Sequence, residues 1–405
     1  MQHVSEENAV RAATAASVHL DMLRGMSAVA VLVYHVRYRF FLDYADLESP
    51  GIVAKIFYGA TSFGHDAVMA FFVLSGLLIA NSIARSSRRQ SWSWTDYILS
   101  RLTRLYVVLI PALLLTLLWD WLGISLHGNH SVYNGEPQAW KHDYFNVSQR
   151  LSALTLFGNV AFLQTIFVPP FGSNEPLWSL AYEFWYYGLF PCIYLMLFYY
   201  KSWWARTLCL VAAIAMATLV GRQILIYFPI WLLGALLGFL PLCVGMQGWV
   251  KVAATILAGL FAVAMAMLGH VGTIKLALGG STAMDYFTGV GVAVLVYVLL
   301  HYDEVARAGI YAKVARWSSE FSFTLYLTHI PLLVWLRSLW ISGRPWDGSL
   351  EYIAAAFGLS AMAILFAWVV YWFTERHTRR VKAWFLARAA DWSQLTTRSI
   401  ESASR

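Results

Sequence analysis

Arg24 and His35 stand eleven positions apart in LDMLRGMSAVAVLVYHV, with no charged residue between them. A helix rises about 1.5 Å per residue, so the imidazole would sit roughly 16 Å along the axis from the guanidinium, about half a bilayer core. Ionisable side chains held that deep are costly and mark functional sites by default. The chemistry on offer is anion binding at one end and general-base catalysis at the other. The structural alternative is an arginine that snorkels to headgroups and a histidine bonded to a neighbouring helix.

Four further stretches carry reactive groups. In FGHDAVMAFFVLSGLLIA, His65 and Asp66 open an apolar run, with Ser75 and Gly76 deeper inside it. Asp66 is a candidate catalytic carboxylate, or else a cap that favours a helix N-terminus. The Ser75–Gly76 pair also fits close helix packing. Arg101 and Arg104 open the next run three positions apart and share one helix face. With Arg85, Arg88 and Arg89 nearby, they suit phosphate, because Arg makes bidentate charge-assisted bonds to it.

NEPLWSLAYEFWYYGLFP places Glu183 inside an apolar run. A carboxylate there is paired or protonated. Beside His35 it would form a general-base pair; bonded to Tyr, Trp or Ser it would serve packing. SSEFSFTLYLTHIPLLVW places His329 just before Pro331, where a histidine can also bond a carbonyl freed by the proline. No Gly-rich phosphate loop, zinc spacing or serine elbow occurs. Cys192, Cys209 and Cys243 lie in apolar runs and read as small hydrophobes.

These residues need elements that hold them in lipid. The chain is 59% hydrophobic and 13% charged, against roughly 25% charged in soluble domains. Its apolar runs do not alternate with period two, which makes it an all-α polytopic membrane protein. Spans are expected near 20–41, 66–84, 103–126, 176–199, 207–221, 224–243, 250–270, 284–301, 321–341 and 350–374. Residues 1–19 form a polar N-terminal segment without the apolar core of a signal peptide. Residues 20–375 form the transmembrane domain, and 376–405 a basic amphipathic tail on the cytoplasmic surface.

Basic residues set the orientation. Arg85 to Arg104, Lys201 with Arg206, Arg307 to Arg316, and Arg376 to Arg388 all fall on one side only if ten segments cross, with both termini cytoplasmic. An eleventh crossing at 151–168 would split them. That stretch is therefore expected to be a re-entrant or interfacial helix, with Asn159 and Gln164 lining a cavity. With 127–150 it would form an external cap, where Trp140, His142, Tyr144 and Phe145 could stack on sugar rings or anchor at the interface.

Taken together, these motifs resemble the membrane acyltransferase-3 family. The resemblance rests on Arg-x10-His in the first span, AVMAFFVLSGLLI, Arg-x-x-Arg opening the third span, LWSLAYEFWYY, and SFTLYLTHIPLL. It covers about residues 18–380, in order and spacing. It implies a multi-pass protein of the bacterial inner membrane that moves an acyl group, commonly acetyl, from cytosolic acyl-coenzyme A to a hydroxyl of a cell-surface carbohydrate or glycolipid. Residue by residue, it implies that His35 is the catalytic histidine and Arg24 its motif partner. Arg101 and Arg104 become the donor-binding pair, and Glu183 the motif acid. Ser75, Trp178, Ser179 and His329 fall in the same motifs as candidate substrate contacts. Many members carry Asp where this chain has Met69; Asp66, one turn earlier, is the candidate replacement.

The expected reaction threads the pantetheine arm inward from the arginines to His35. There His35, oriented by Glu183 or Asp66, deprotonates the acceptor, or else forms an acyl-histidine intermediate. No metal and no nucleic-acid partner is expected, and the oligomeric state is open. Two rival readings stand beside it. One is a proton-coupled transporter or flippase, which would use the same intramembrane groups. The other is a non-catalytic membrane sensor.

Overall fold

The structure is a computed structural model that describes residues 2–127, 133, 146–241, 248–268, 281–301, 309–339 and 345–388. Trp140, His142, Tyr144, Phe145, Cys243 and Arg307 lie outside the described residues. Within them the chain is all-helical, with two isolated bridges and no strand.

The first helix, α1 (Gln2–Phe40), runs unbroken through the Arg24–His35 stretch. Its 39 residues span about 58 Å, more than a bilayer core. It therefore extends well beyond the span expected at 20–41. A short α2 (Ile52–Ala60) leads into α3 (Gly64–Arg88) and α4 (Trp94–His127). After the next loop come α5 (Ala153–Val160), α6 (Leu177–Phe198), α7 (Trp203–Leu225) and α8 (Phe228–Leu237). The rest are α9 (Gly248–Leu268), α10 (Ser281–Leu299), α11 (Ile310–Glu320), α12 (Ser322–Leu339) and α13 (Leu350–Phe373).

Six stretches, 52–88, 94–126, 203–225, 248–268, 282–299 and 350–388, hold helices long and apolar enough to cross a membrane. Helices α1, α6 and α12 are not among them, and these three carry most of the candidate site. Their Arg, His, Glu, Tyr and Trp residues lower the mean hydropathy that marks the others. Polar chemistry inside a span thus erodes the signal by which the span is read.

Two expectations need correction. The stretch at 224–243 is not a full span. Gly221, at φ 69° and ψ −174°, adopts backbone open essentially to glycine alone. It breaks the helix and redirects the chain into α8, whose 10 residues reach only about 15 Å. The stretch at 151–168 does not cross either: α5 has 8 residues and is capped by the Ser152 side chain, which accepts from the Thr155 N–H. Asn159 and Gln164 do not line a cavity. Asn159 Nδ2 donates to the Thr155 and Pro169 carbonyls, and its Oδ1 accepts from the Phe171 N–H. Gln164 Nε2 donates to the Leu177 carbonyl. Both residues are fully buried, and they satisfy the backbone of a folded loop.

The core has two main parts. One is built around α3, α6 and α8, with Met69, Leu77, Tyr186 and Trp231 fully buried. The other joins α1, α12 and α13 through Leu32, Leu333 and Ala363. Helices α3 and α8 cross with their backbones in contact. A Cβ on Gly234 would stand 1.8 Å from the Val73 carbonyl oxygen, and one on Gly76 would stand 2.0 Å from that of Trp231. Small residues permit such approach between membrane helices. After α13, the basic tail continues as a helix over 378–388, with Trp384 and Phe385 exposed.

Replacing Gly234 with Leu must therefore push α8 off α3. The expected cost is about 1–3 kcal/mol or more, seen as a lowered melting temperature and loss of monodisperse protein in detergent. Wild-type stability in this variant would contradict the close crossing.

Candidate active site

Two cavities meet inside the helix bundle. The first, about 80 Å³, is lined by Arg24 of α1, Ser75 of α3, Arg101 and Arg104 of α4, and Ser179 and Glu183 of α6. Six of the sequence-predicted residues thus share one narrow space. Arg101 and Arg104 sit one turn apart on α4, so both heads reach the same side. Neither guanidinium makes a hydrogen bond or ion pair among the described residues, and Arg101 Nε is buried without a partner. Arg101 lies over the Tyr97 and Tyr187 rings, at 5.5 and 5.9 Å. Arg24 is paired with Asp21 at 3.0 Å. Arg104 also feels the carboxylates of Glu183 and Glu375, but guanidinium N–H groups in a cavity wall that no hydrogen bond uses remain open to an anionic ligand.

Glu183 occupies the same cavity, and its carboxylate is already satisfied. Its Oε1 accepts from the Ser75 hydroxyl at 2.7 Å and from the Tyr187 hydroxyl one turn along α6. Trp231 Nε1 donates in turn to Ser75 Oγ at 3.3 Å. Ser75 is therefore a ligand of Glu183 rather than an isolated packing residue.

The second cavity, about 290 Å³, is lined by His35 and its neighbours Tyr34 and Tyr38, by His65 of α3, and by Glu175 and Trp178 at the head of α6. Val68 and Tyr326 line both spaces, so the two cavities lie against each other there. The Tyr326 hydroxyl lies 2.6 Å from Ser179 Oγ. His65 stacks on Trp178 and pairs with Asp285 at 3.0 Å. A third space opens beyond them, bounded again by His65 and Trp178 and also by Tyr182, Gln223 and Tyr227. Aromatic faces with polar tips are the surface that a sugar ring can stack on and bond to.

The pairing expected between His35 and Glu183 is absent. His35 Nδ1 lies 2.9 Å from the Val31 carbonyl and 3.1 Å from His329 Nε2. Glu183 is held in the other cavity by two hydroxyls. Asp66 does not orient the imidazole either: it stands in the first turn of α3, where its Oδ1 accepts from Thr288 of α10 at 2.8 Å. His329 is 1% exposed and lines neither of the two cavities; it stands behind His35. Met69, at the position where an Asp was expected, is packed into the core.

The wall before Trp178 is fixed by buried polar bonds that single residues did not reveal. Asp120 of α4 accepts from the Ser173 N–H at 2.8 Å and the Ser173 hydroxyl at 2.7 Å. Asn174 Nδ2 donates to Thr116 Oγ1 and to the Leu327 carbonyl, bridging α4 and α12. Arg39, one turn past His35 on α1, pairs with Glu175 at 2.9 Å. The turn before Trp178 is thereby tied to three helices. Its Gly172, at φ 56°, leaves the room that Asp120 Oδ2 fills. Tyr187 was within reach of sequence reasoning, four positions from Glu183; Glu175 and Tyr326 required the fold.

The sequence model of a family described as an acyltransferase domain matches residues 18–372. The chain belongs to acyltransferase family 3. Among curated proteins and solved structures, none matches it. A family-3 chain with six stretches apolar enough to cross is a multi-pass membrane acyltransferase. No cluster of His, Cys, Asp and Glu among the described residues could hold a metal ion.

In this acyltransferase, Asp120→Ala would leave the buried N–H and O–H of Ser173 without acceptors. At about 1–3 kcal/mol for each orphaned group, a loss of several kcal/mol is expected, read as a lowered melting temperature. An unchanged melting temperature would show that this network does not hold the wall.

Proposed function

We propose that this membrane acyltransferase moves an acyl group, acetyl by family expectation, from cytosolic acyl-coenzyme A to a hydroxyl of a cell-surface or exported carbohydrate. The observation that carries the reading is the junction at Val68 and Tyr326. There a cavity walled by guanidinium groups lies against one walled by an imidazole. An arginine-lined space suits a linear arm that ends in phosphates, and an aromatic space suits a ring-shaped acceptor.

In this reading, Arg101 and Arg104, with Arg24 beside them, hold coenzyme A phosphates at the cytoplasmic side, and the pantetheine arm carries the thioester to that junction. Glu183 holds Ser75 and Tyr187 in place along that path. The acceptor hydroxyl reaches His35 from the outer side, past Trp178. The hydroxyl O–H bond breaks as its proton passes to His35, and the oxygen attacks the thioester carbon. The C–S bond then breaks, and the thiolate leaves with the proton that His35 returns. Tyr326 supplies a hydroxyl for the developing oxyanion. The thioester is already activated, so a positioned base and one such donor suffice. The chain would sit in the bacterial inner membrane with the Arg101 and Arg104 end on the cytoplasmic, donor side.

Vesicles from producing cells, which carry the native acceptor, provide the test when supplied with radiolabelled acetyl-coenzyme A. His35→Ala should lower transfer about 10²–10⁴-fold, the usual worth of a general base. Arg101→Ala and Arg104→Ala should each raise KM for the donor about 10–100-fold, the worth of a charge-assisted contact. A His35→Ala protein that transfers label at the wild-type rate would refute the reading. Consumption of acetyl-coenzyme A also separates it from a transporter, which would leave the thioester intact.

A further inference from the structure

His329 has no role in the reaction as written above, yet its ring touches His35 and is almost wholly buried. The bonds around the two rings determine where their protons are. His329 Nδ1 lies 2.9 Å from the Leu325 carbonyl oxygen. A ring nitrogen that close to a carbonyl carries its proton, because a carbonyl only accepts. In neutral His329, Nε2 therefore bears a lone pair. His35 Nδ1 faces two acceptors, the Val31 carbonyl at 2.9 Å and that lone pair at 3.1 Å. It must donate, sharing one N–H between both in a three-centre bond. The proton of neutral His35 is then fixed on Nδ1, which leaves the lone pair on Nε2. Nε2 has no partner among the described residues, and His35 is the one of the two that borders the second cavity.

We propose that His329 is a positioning residue that sets the tautomer of His35, so that the basic Nε2 faces the acceptor hydroxyl. It also steadies the imidazolium that forms when His35 takes the proton, because its neutral Nε2 accepts from the now cationic ring. This is the part a carboxylate plays behind the histidine of a serine hydrolase, filled here by a neutral imidazole. The geometry suits the site: a second histidine supplies the acceptor without burying another negative charge in the membrane interior. Four residues earlier on each helix stands the carbonyl that locks its ring, Val31 for His35 and Leu325 for His329. Both imidazoles are thus oriented by their own helix before they meet. The proposal rests on the reading of His35 as the base.

The test compares His329→Asn with His329→Gln in native vesicles with radiolabelled acetyl-coenzyme A, alongside His35→Ala. An Asn amide can keep the Leu325 bond but falls short of His35; a Gln amide oxygen reaches about where Nε2 stood. The expected result is a fall in kcat of about 100-fold for Asn with donor KM unchanged, and recovery to within about tenfold of wild type for Gln. His329→Phe, which fills the space without an acceptor, should match Asn and serves where Asn does not insert. Asn, Gln and Phe variants all within threefold of wild type, with His35→Ala inactive, would overturn the role of His329 and leave the base standing. Equal losses for Asn and Gln in folded protein would overturn it too, because an acceptor would then not restore function. Full activity of His35→Ala would remove the base itself, and this proposal with it.

Discussion

The two cavities are set by one rigid object, the unbroken helix that carries Arg24 and His35. An α-helix has a fixed rise, so the two groups cannot approach or separate. One therefore lines the first cavity and the other the second. Any ligand that touches both must span that fixed distance. The neighbouring helices act as walls around this ruler: α3 and α6 pass along both cavities, α4 supplies the arginines, and α12 supplies Tyr326 at the junction and His329 behind the base.

A second constraint follows from the solvent. In hydrocarbon, each buried donor or acceptor needs a partner inside the protein. The acyltransferase meets this with small closed sets: Glu183 with Ser75 and Tyr187, Asp120 with Ser173, Arg39 with Glu175. Against that background, Arg101 and Arg104 stand out, because among the described residues no hydrogen bond or close ion pair holds either guanidinium. The bonded groups build the walls, and the two guanidinium groups face a cavity with donors to offer a ligand.

Much of this was legible in the sequence, in an uneven way. The Arg-x10-His spacing and the Arg-x-x-Arg turn depend only on local helical geometry, and their residues lie on the two cavities. The helical class followed from the apolar runs. What failed depended on contacts between distant segments. Glu183 was expected beside His35 because both are charged groups buried in apolar runs, but sequence carries no information on which buried groups meet. The hydroxyls of Ser75 and Tyr187 reached Glu183 first, and His329 took the place at His35. The 224–243 stretch reads as a span by hydropathy, yet Gly221 at positive φ breaks the helix just before it, and the stretch holds only the 10-residue α8. Asn159 and Gln164 read as cavity lining because they are polar in an apolar run, whereas backbone groups of a tight loop claimed them.

The central claim is that donor and acceptor approach from opposite ends of the Arg24–His35 ruler and meet at the Val68–Tyr326 junction. A cryo-electron microscopy structure with a thioether analogue of acetyl-coenzyme A, which cannot transfer its acyl group, tests it directly. The account predicts density for the phosphates against Arg101 and Arg104, with the arm running past Glu183 and the acyl group at the junction beside Tyr326. Phosphates bound in the His35 cavity, or an arm that avoids the arginine-lined space, would contradict it.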